Sequence, residues 1–408
     1  MRCDTVLYRH DNTSIAGWIA LTLTALIIFA IANYFPIVSL RLMSMTANAS
    51  LPQALALTWQ QGYQGVAIMT GLFGFCVPLA QLLFLLWALL AIASGRLPGD
   101  FHLGMRVLRG LAPWSMVPVL MLGILVAIVK ISDFAVLGVG PGLWGVAALT
   151  ILITALSRVS APRLWRFAED AGLVPVSGAG LDMARPIADC HACGYVQNLD
   201  CPGHDQSCRR CGARVHWRKP DSPMRTWALV LAACILYIPA NVLPVMQFRT
   251  PVGVSEHTIL GGVIELWSLG SWDLAVIVFT ASIVVPMTKL LVLIALLCRR
   301  HWAGDKIQRQ RTRLYELVEF IGQWSMLDVF VIVLLSAMAD FPGFSQITAG
   351  PGAGNFGLVV VLTMFAAFSF DPRHGWDARA SDDARPQAPA APGPAAPWRA
   401  GQPNLEQA

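Results

Sequence analysis

SIAGWIALTLTALIIFAIANYFP, residues 14–36, and SPMRTWALVLAACILYIPANVLP, residues 222–244, decide how this chain folds. Each holds about 20 predominantly apolar residues, enough as a helix to cross the roughly 30 Å hydrocarbon core of a bilayer. Superposed without gaps, they begin on Ser14 and Ser222, share Asn33 and Asn241, and end on Pro36 and Pro244. The chain therefore enters a membrane and carries a copy of part of itself. Ala30-Ile31-Ala32 has the small-residue look of a signal cleavage site, but the run is long for a signal and its copy lies in mid-chain, where no signal works.

Outward from these stretches, the register holds at an offset of 208 residues: Trp59 falls on Trp267, Gly62 on Gly270, Pro78 on Pro286, and Leu82-Leu83 on Leu290-Leu291. After a two-residue shift, Trp114-Ser115-Met116 falls on Trp324-Ser325-Met326 and Gly140-Pro141-Gly142 on Gly350-Pro351-Gly352. Apolar runs predict eight spans, near 15–40, 66–93, 111–131, 142–155, 227–246, 274–297, 320–338 and 356–370, the fourth and eighth being short. The expected fold is an all-α integral membrane protein of two tandem, parallel four-helix units, 15–157 and 223–371. Between them lie a cytoplasmic linker, 158–186, and a small metal ribbon, 187–222. The Pro/Ala-rich tail, 372–408, has the composition of a disordered segment. Pro78 and Pro286 are expected to kink their spans, and the Gly-Pro-Gly motifs to be flexible leads into the fourth and eighth.

The composition agrees: 56% of residues are hydrophobic, 13% are charged, and mean hydropathy is +0.59. The net charge of +5 points to orientation and not to nucleic acid. Of 29 Lys and Arg, only Arg41 and Arg249 fall in the first-to-second and fifth-to-sixth connections, and none in the third-to-fourth or seventh-to-eighth. The positive-inside rule places those four loops in the periplasm and both termini and the ribbon in the cytoplasm of an inner-membrane protein.

The sharpest local motif is Cys190-His191-Ala192-Cys193-Gly194 followed by Cys208-Arg209-Arg210-Cys211-Gly212. Two such knuckles can converge on one tetrahedral ion, and a reducing cytoplasm disfavours paired disulfides. Structural Zn2+ on Cys190, Cys193, Cys208 and Cys211 is the reading, with iron the alternative. Cys201, His191 and His204 are read as bystanders. In the repeat register Cys3 falls on Cys211, so residues 1–14 look like the tail of a first ribbon. Either that ribbon has been lost or the start codon lies upstream, the second being favoured.

Ionisable groups at membrane depth are expensive and point to function. Lys289 lies in the sixth span and Asp328 in the seventh, while Lys130 and Asp133 lie one turn apart at the end of the third. Ser282 shares a helix face with Lys289, Ser325 shares one with Asp328, and Thr363 of the eighth span can join them. The first copy has Gln81 and Pro118 where the second has Lys289 and Asp328. The Lys289 and Asp328 pair reads either as a structural ion pair or as a proton relay or headgroup contact.

Taken together, the CxxCG ribbon, Asn-x-x-Pro at Asn33 and Asn241, the two Trp-Ser-Met and Gly-Pro-Gly motifs and Phe370-Asp371-Pro372-Arg373 resemble the paraquat-inducible protein A family, from residue 1 to about 375. The departure is the missing first ribbon. The resemblance implies an inner-membrane partner of mammalian-cell-entry-domain proteins, which form periplasmic lipid tunnels, and a role in loading lipids into the tunnel or receiving them. It also implies that Lys130, Asp133, Ser282, Lys289, Ser325, Asp328 and Thr363 sit on the transport path. The competing class is a membrane scaffold, or a redox or metal sensor, without transport of its own. No P-loop, HExxH or nucleophile elbow is present, so no enzyme is expected.

Overall fold

The computed structural model describes residues 13–42, 45–132, 136–177, 180–182, 185, 187–199, 206–215, 219, 221–250, 253–268, 270, 272–298, 305–338 and 346–371. The expected ribbon remnant, apart from its last two residues, and the tail lie outside them.

One succession of elements occurs twice. It runs first through α1 (Ile15–Tyr34), β1 (Val38–Leu42), β2 (Met45–Ala49), α2 (Leu51–Gln60), α3 (Gln64–Gly71), a π-helical turn (Leu72–Cys76), α4 (Val77–Ala93), α5 (Phe101–Leu111), a 3-10 turn (Ala112–Trp114), α6 (Val117–Ser132), β3 (Val136–Val139) and α7 (Pro141–Leu156). There follow α8 (Ala161–Asp170) and two short hairpins, β4 (Ile187–Asp189) with β5 (Val196–Asn198) and β6 (Gln206–Ser207) with β7 (Arg214–Val215). The second pass is α9 (Ser222–Val242), β8 (Met246–Thr250), β9 (Gly253–His257), α10 (Ile259–Ser268), α11 (Trp272–Phe279), a π-helical turn (Thr280–Val284), α12 (Val285–Cys298), α13 (Asp305–Gly322), a 3-10 turn (Gln323–Met326), α14 (Leu327–Met338), β10 (Gln346–Ala349) and α15 (Pro351–Ser369).

The chain is mostly helical, and among the described residues six helical stretches are long and apolar enough to cross a membrane: Ile15–Tyr34, Gln64–Ala93, Phe101–Val129, Ser222–Val242, Ala275–Cys298 and Pro351–Ser369. The 16-residue α7 is followed by α8 at a bend of 56°, and α14 has 12 residues. Alone, at about 1.5 Å per residue, each is shorter than the hydrocarbon core, while α7 and α8 together are long and apolar enough for a bent seventh span.

The expectation of an all-α chain fails in the connections. β2-β1-β3 and β10-β8-β9 are antiparallel sheets, with Val38 opposite Ala49 and Val139, and Met246 opposite His257 and Ala349. Chain that has left a helix must find partners for its backbone polar groups, and here each connection finds them in the other. The first and fifth apolar runs overreach for this reason. Their helices end at Tyr34 and Val242, ahead of Pro36 and Pro244, and the residues beyond are extended.

The Gly-Pro-Gly motifs are close-packed junctions and not flexible leads. Gly140 N–H and Gly142 N–H donate to the carbonyls of Ile37 and Pro36, both at 3.0 Å. Gly350 and Gly352 do the same to Val245 and Pro244, at 2.7 and 3.0 Å. A side chain at any of the four would collide with that backbone. The asparagines preceding these prolines bond their own helices, Asn33 to Phe29 O and Asn241 to Tyr237 O, each at 2.8 Å.

Both prolines expected to kink spans follow a π-helical turn. Proline lacks an N–H and crowds the carbonyl four residues back, and widening the ladder, with Val77 N–H reaching Leu72 O and Val285 N–H reaching Thr280 O, accommodates that. The largest buried cluster joins the two halves. α14 lies against α2, α3 and α6, with Phe330 fully buried over Gly74 and Gly123 and Ser336 Oγ bonded to Gln61 Oε1 at 2.9 Å.

Candidate functional site

Two sites carry chemistry. In the first, Cys190, Cys193, Cys208 and Cys211 are buried with all four sulfurs within 4.8 Å of one another. Cys190 Sγ is 3.6 Å from Cys211 Sγ and Cys193 Sγ is 3.5 Å from Cys208 Sγ. A disulfide needs about 2.05 Å, whereas metal–sulfur bonds of about 2.3 Å give a tetrahedron with edges of about 3.8 Å. Gly194 and Gly212 turn the knuckles at φ of 73° and 63°, and their N–H groups donate to the carbonyls of Cys190 and Cys208. Crowding splits the thiols. Hydrogen bonding with Cys190 pushes Cys193 up, the same kind of bond holds Cys208 down, and burial pushes Cys211 up. A cation at the centre removes that conflict, so the residues fit a metal ion. His191 is not part of the group, and Cys201 and His204 lie outside the described residues.

Although the sequence runs from the ribbon straight into α9, the ribbon packs on the first half. Its cysteines share a core with Phe101, Met105, Leu164 and Trp165. Arg106 Nη2 donates to Cys211 O at 2.5 Å. Arg210 pairs with Glu169, donates to Pro175 O at 2.7 Å, and lies over the rings of Trp165 and Tyr195 at 5.4 and 4.7 Å.

The second site surrounds Lys289, which is 1% exposed. Its Nζ donates to Thr363 Oγ1 at 3.0 Å, and that hydroxyl donates to Val360 O at 2.8 Å. Among the described residues Thr363 is the one hydrogen-bond partner of Lys289. The amine borders a cavity of about 160 Å³ lined by Pro113, Val318, Gly322, Met364, Ala367 and Phe368. One wall, Pro113, comes from the first half. Gly322 faces the amine, and an added Cβ would lie 3.5 Å from Nζ, in ordinary van der Waals contact.

Of the sequence-derived candidates, the structure brings Lys289 and Thr363 together. Ser282 is buried in the π-helical turn, and its hydroxyl bonds Val278 O at 2.7 Å. Ser325 stands in the 3-10 turn before α14, Asp328 on α14 and Lys130 on α6, and the side chains of these three lie outside the described residues, as does Asp133 entirely. Gln81, the counterpart of Lys289, has a buried Oε1 with no partner among the described residues.

The sequence pattern described as Paraquat-inducible protein A matches residues 15–169 and again 224–380, flanking the ribbon. Intermembrane transport protein PqiA of Escherichia coli K12 is 33% identical over 92% of this chain and 89% of its own length. Lipophilic envelope-spanning tunnel protein A of the same strain is 33% identical over 94% and 87%. This chain belongs to the paraquat-inducible protein A family. A Haemophilus influenzae member, a Probable intermembrane transport protein, is 28% identical over 92% and 89%. No solved structure matches. Two of these relatives are named as intermembrane transport proteins and one as a tunnel protein, none as an enzyme, and this paraquat-inducible protein A member is a multi-pass membrane protein with a four-cysteine site able to hold a metal ion.

The family motif at Phe370-Asp371 ties α15 to α9. Lys219 Nζ donates to the carbonyls of Phe368 and Phe370 at 2.7 and 3.2 Å, Ser222 Oγ donates to Ser369 O at 2.7 Å, and Asp371 N–H donates to Ser222 Oγ at 2.9 Å. Arg106, Glu169 and Arg210 went unnoticed in the sequence as ribbon anchors. The strong amphipathy of α5 and α8 was the signal that something packs there.

Proposed function

We propose that this chain is the inner-membrane subunit of an intermembrane lipid transport system, exchanging lipids with a periplasmic mammalian-cell-entry-domain tunnel protein. The names of the relatives support intermembrane transport, and the observation that carries the mechanism is Lys289, buried beside a cavity with a neutral hydroxyl as its partner. An amine so placed meets the anionic headgroup of a lipid and can shed its proton when the cavity empties, the property a proton-coupled carrier needs. Thr363 orients the amine. Lys130, Asp133, Ser282, Ser325 and Asp328 complete the polar path in this reading.

Finer features go with it. Counting α7 and α14 as short spans gives eight, in two four-helix units, with both termini and the ribbon in the cytoplasm. Zn2+ is the metal, holding the ribbon as a structural brace against α5 and α8. The test is purification from native membranes, with mass spectrometry of bound protein and lipid, alongside a Lys289→Ala strain challenged for envelope barrier function. A co-purifying tunnel protein and a failed barrier at normal protein level are expected. Normal barrier function with no tunnel protein among the partners leaves the scaffold or sensor reading in its place.

A further inference from the structure

At about 160 Å³ the Lys289 cavity is smaller than the roughly 300–1,000 Å³ of pockets that enclose a drug-sized ligand, so cargo passage requires it to open. The place where it can open is marked by the backbone. Within the apolar stretch Phe101–Val129 the helix breaks: Ala112–Trp114 is a 3-10 turn, Ser115 is extended at φ −77°, ψ 98°, and α6 starts only at Val117. The corresponding turn of the second half, Gln323–Met326, runs directly into α14. Non-helical backbone inside an apolar stretch persists where it is buried in protein or lines a cavity, and discontinuous helices build the binding sites of carriers around which one repeat moves against the other. Here Pro113 of the broken segment lines the cavity, and Ser115 Oγ is buried with no partner among the described residues.

The next residue, Trp114, spans the seam between the halves. Its ring stacks on Phe73 of the first π-helical turn, with centroids 5.1 Å apart and planes 13° from parallel. Phe365 and Phe368 of α15 also lie against it, at 5.1 and 5.9 Å, and Phe368 is itself a cavity wall. Movement of this ring therefore shifts two of the walls around Lys289, one from each half. We infer that Trp114 governs access to the Lys289 cavity: the broken segment swings its ring off Phe365 and Phe368 to admit cargo. This inference rests on the cavity being the transport path.

The test reads accessibility and not transport. In a background with Cys3, Cys76, Cys201, Cys234 and Cys298 replaced and the ribbon cysteines kept, Gly322→Cys places a thiol in the cavity, where the structure leaves room for its Cβ. Its labelling by a small methanethiosulfonate reagent is followed in membrane vesicles against the same background with Gly322 intact. Trp114→Ala is expected to speed labelling by about tenfold, the population shift that follows loss of the ring contacts, and Trp114→Phe to stay within about twofold. Phe365 is 47% exposed, so Phe365→Ala breaks the same contact without hollowing the core and is expected to act in the same direction. Trp87→Ala, which removes the Trp87–Phe101 contact elsewhere, leaves the rate unchanged. Unchanged labelling in Trp114→Ala and Phe365→Ala, or equal acceleration by Trp87→Ala, overturns the inference. Failure of the transport reading shows separately, as a Lys289→Ala strain with a normal barrier.

Discussion

Replacing Lys289 with Met, a chain of similar length without charge, is expected to stabilise the protein while abolishing its function. A charged amine at the centre of a span costs roughly 2.5–3.5 kcal/mol on insertion scales. Its hydrogen bond to Thr363, made by a charged donor, returns about 1.5 kcal/mol. Thr363 Oγ1 keeps its bond to Val360 O after the exchange, so no buried hydroxyl is orphaned. The net expectation is a gain of about 1–2 kcal/mol, seen as a rise of a few degrees in the unfolding midpoint of the purified protein in lipid nanodiscs. The same variant is scored for barrier function in cells. A loss of about 3–5 kcal/mol would refute the reasoning, because that is the penalty for breaking a buried ion pair and would mean that a carboxylate holds the amine as a structural lock.

Gly350→Ala is expected to lower folded yield sharply, because its new carbon would come within 2.8 Å of the Pro244 carbonyl carbon; Gly354→Ala, with nothing within 4 Å, is the neutral control, both read by fluorescence-detected size exclusion. The purified protein should carry one metal ion per chain by elemental analysis, lost in Cys208→Ser. It should also be released as pH falls, since protons compete for the four thiolates. Arg106→Ala removes a charged donor from Cys211 O, and transfer of the metal to a chelator is expected to be about tenfold faster, in line with the loss of about 1.5 kcal/mol for such a bond.

Much of this architecture is visible in the residues because lipid imposes one simple demand, and runs such as 15–34 and 275–298 meet it without ambiguity. The four ribbon cysteines are equally plain, since their spacing is their chemistry. What the sequence hides is contact between distant segments. Val38–Leu42 alternates apolar and polar residues as a strand does, but five residues at the end of an apolar run decide little while the partner, Val136–Val139, lies about a hundred positions away. Apolarity was mistaken for helix there, and glycine for slack at Gly140 and Gly350, where it is closeness to Pro36 and Pro244 that excludes a side chain. The Lys289 site was only half legible. A lysine among leucines is conspicuous, yet Pro113 and Gly322 gain meaning only once α13 and the first half close around it.

The pairing of β1 with β3 bears on biogenesis. Ser39 Oγ bonds the carbonyl of Gly138, 99 residues later, so α1 must leave the ribosome, insert, and wait through the synthesis of five further helices, α2 to α6, before its end is tied to β3. The second half repeats the delay, because β8 waits for β10. A nascent chain halted before either Gly-Pro-Gly junction presents unpaired strand edges at the membrane surface, a natural handle for quality-control proteases.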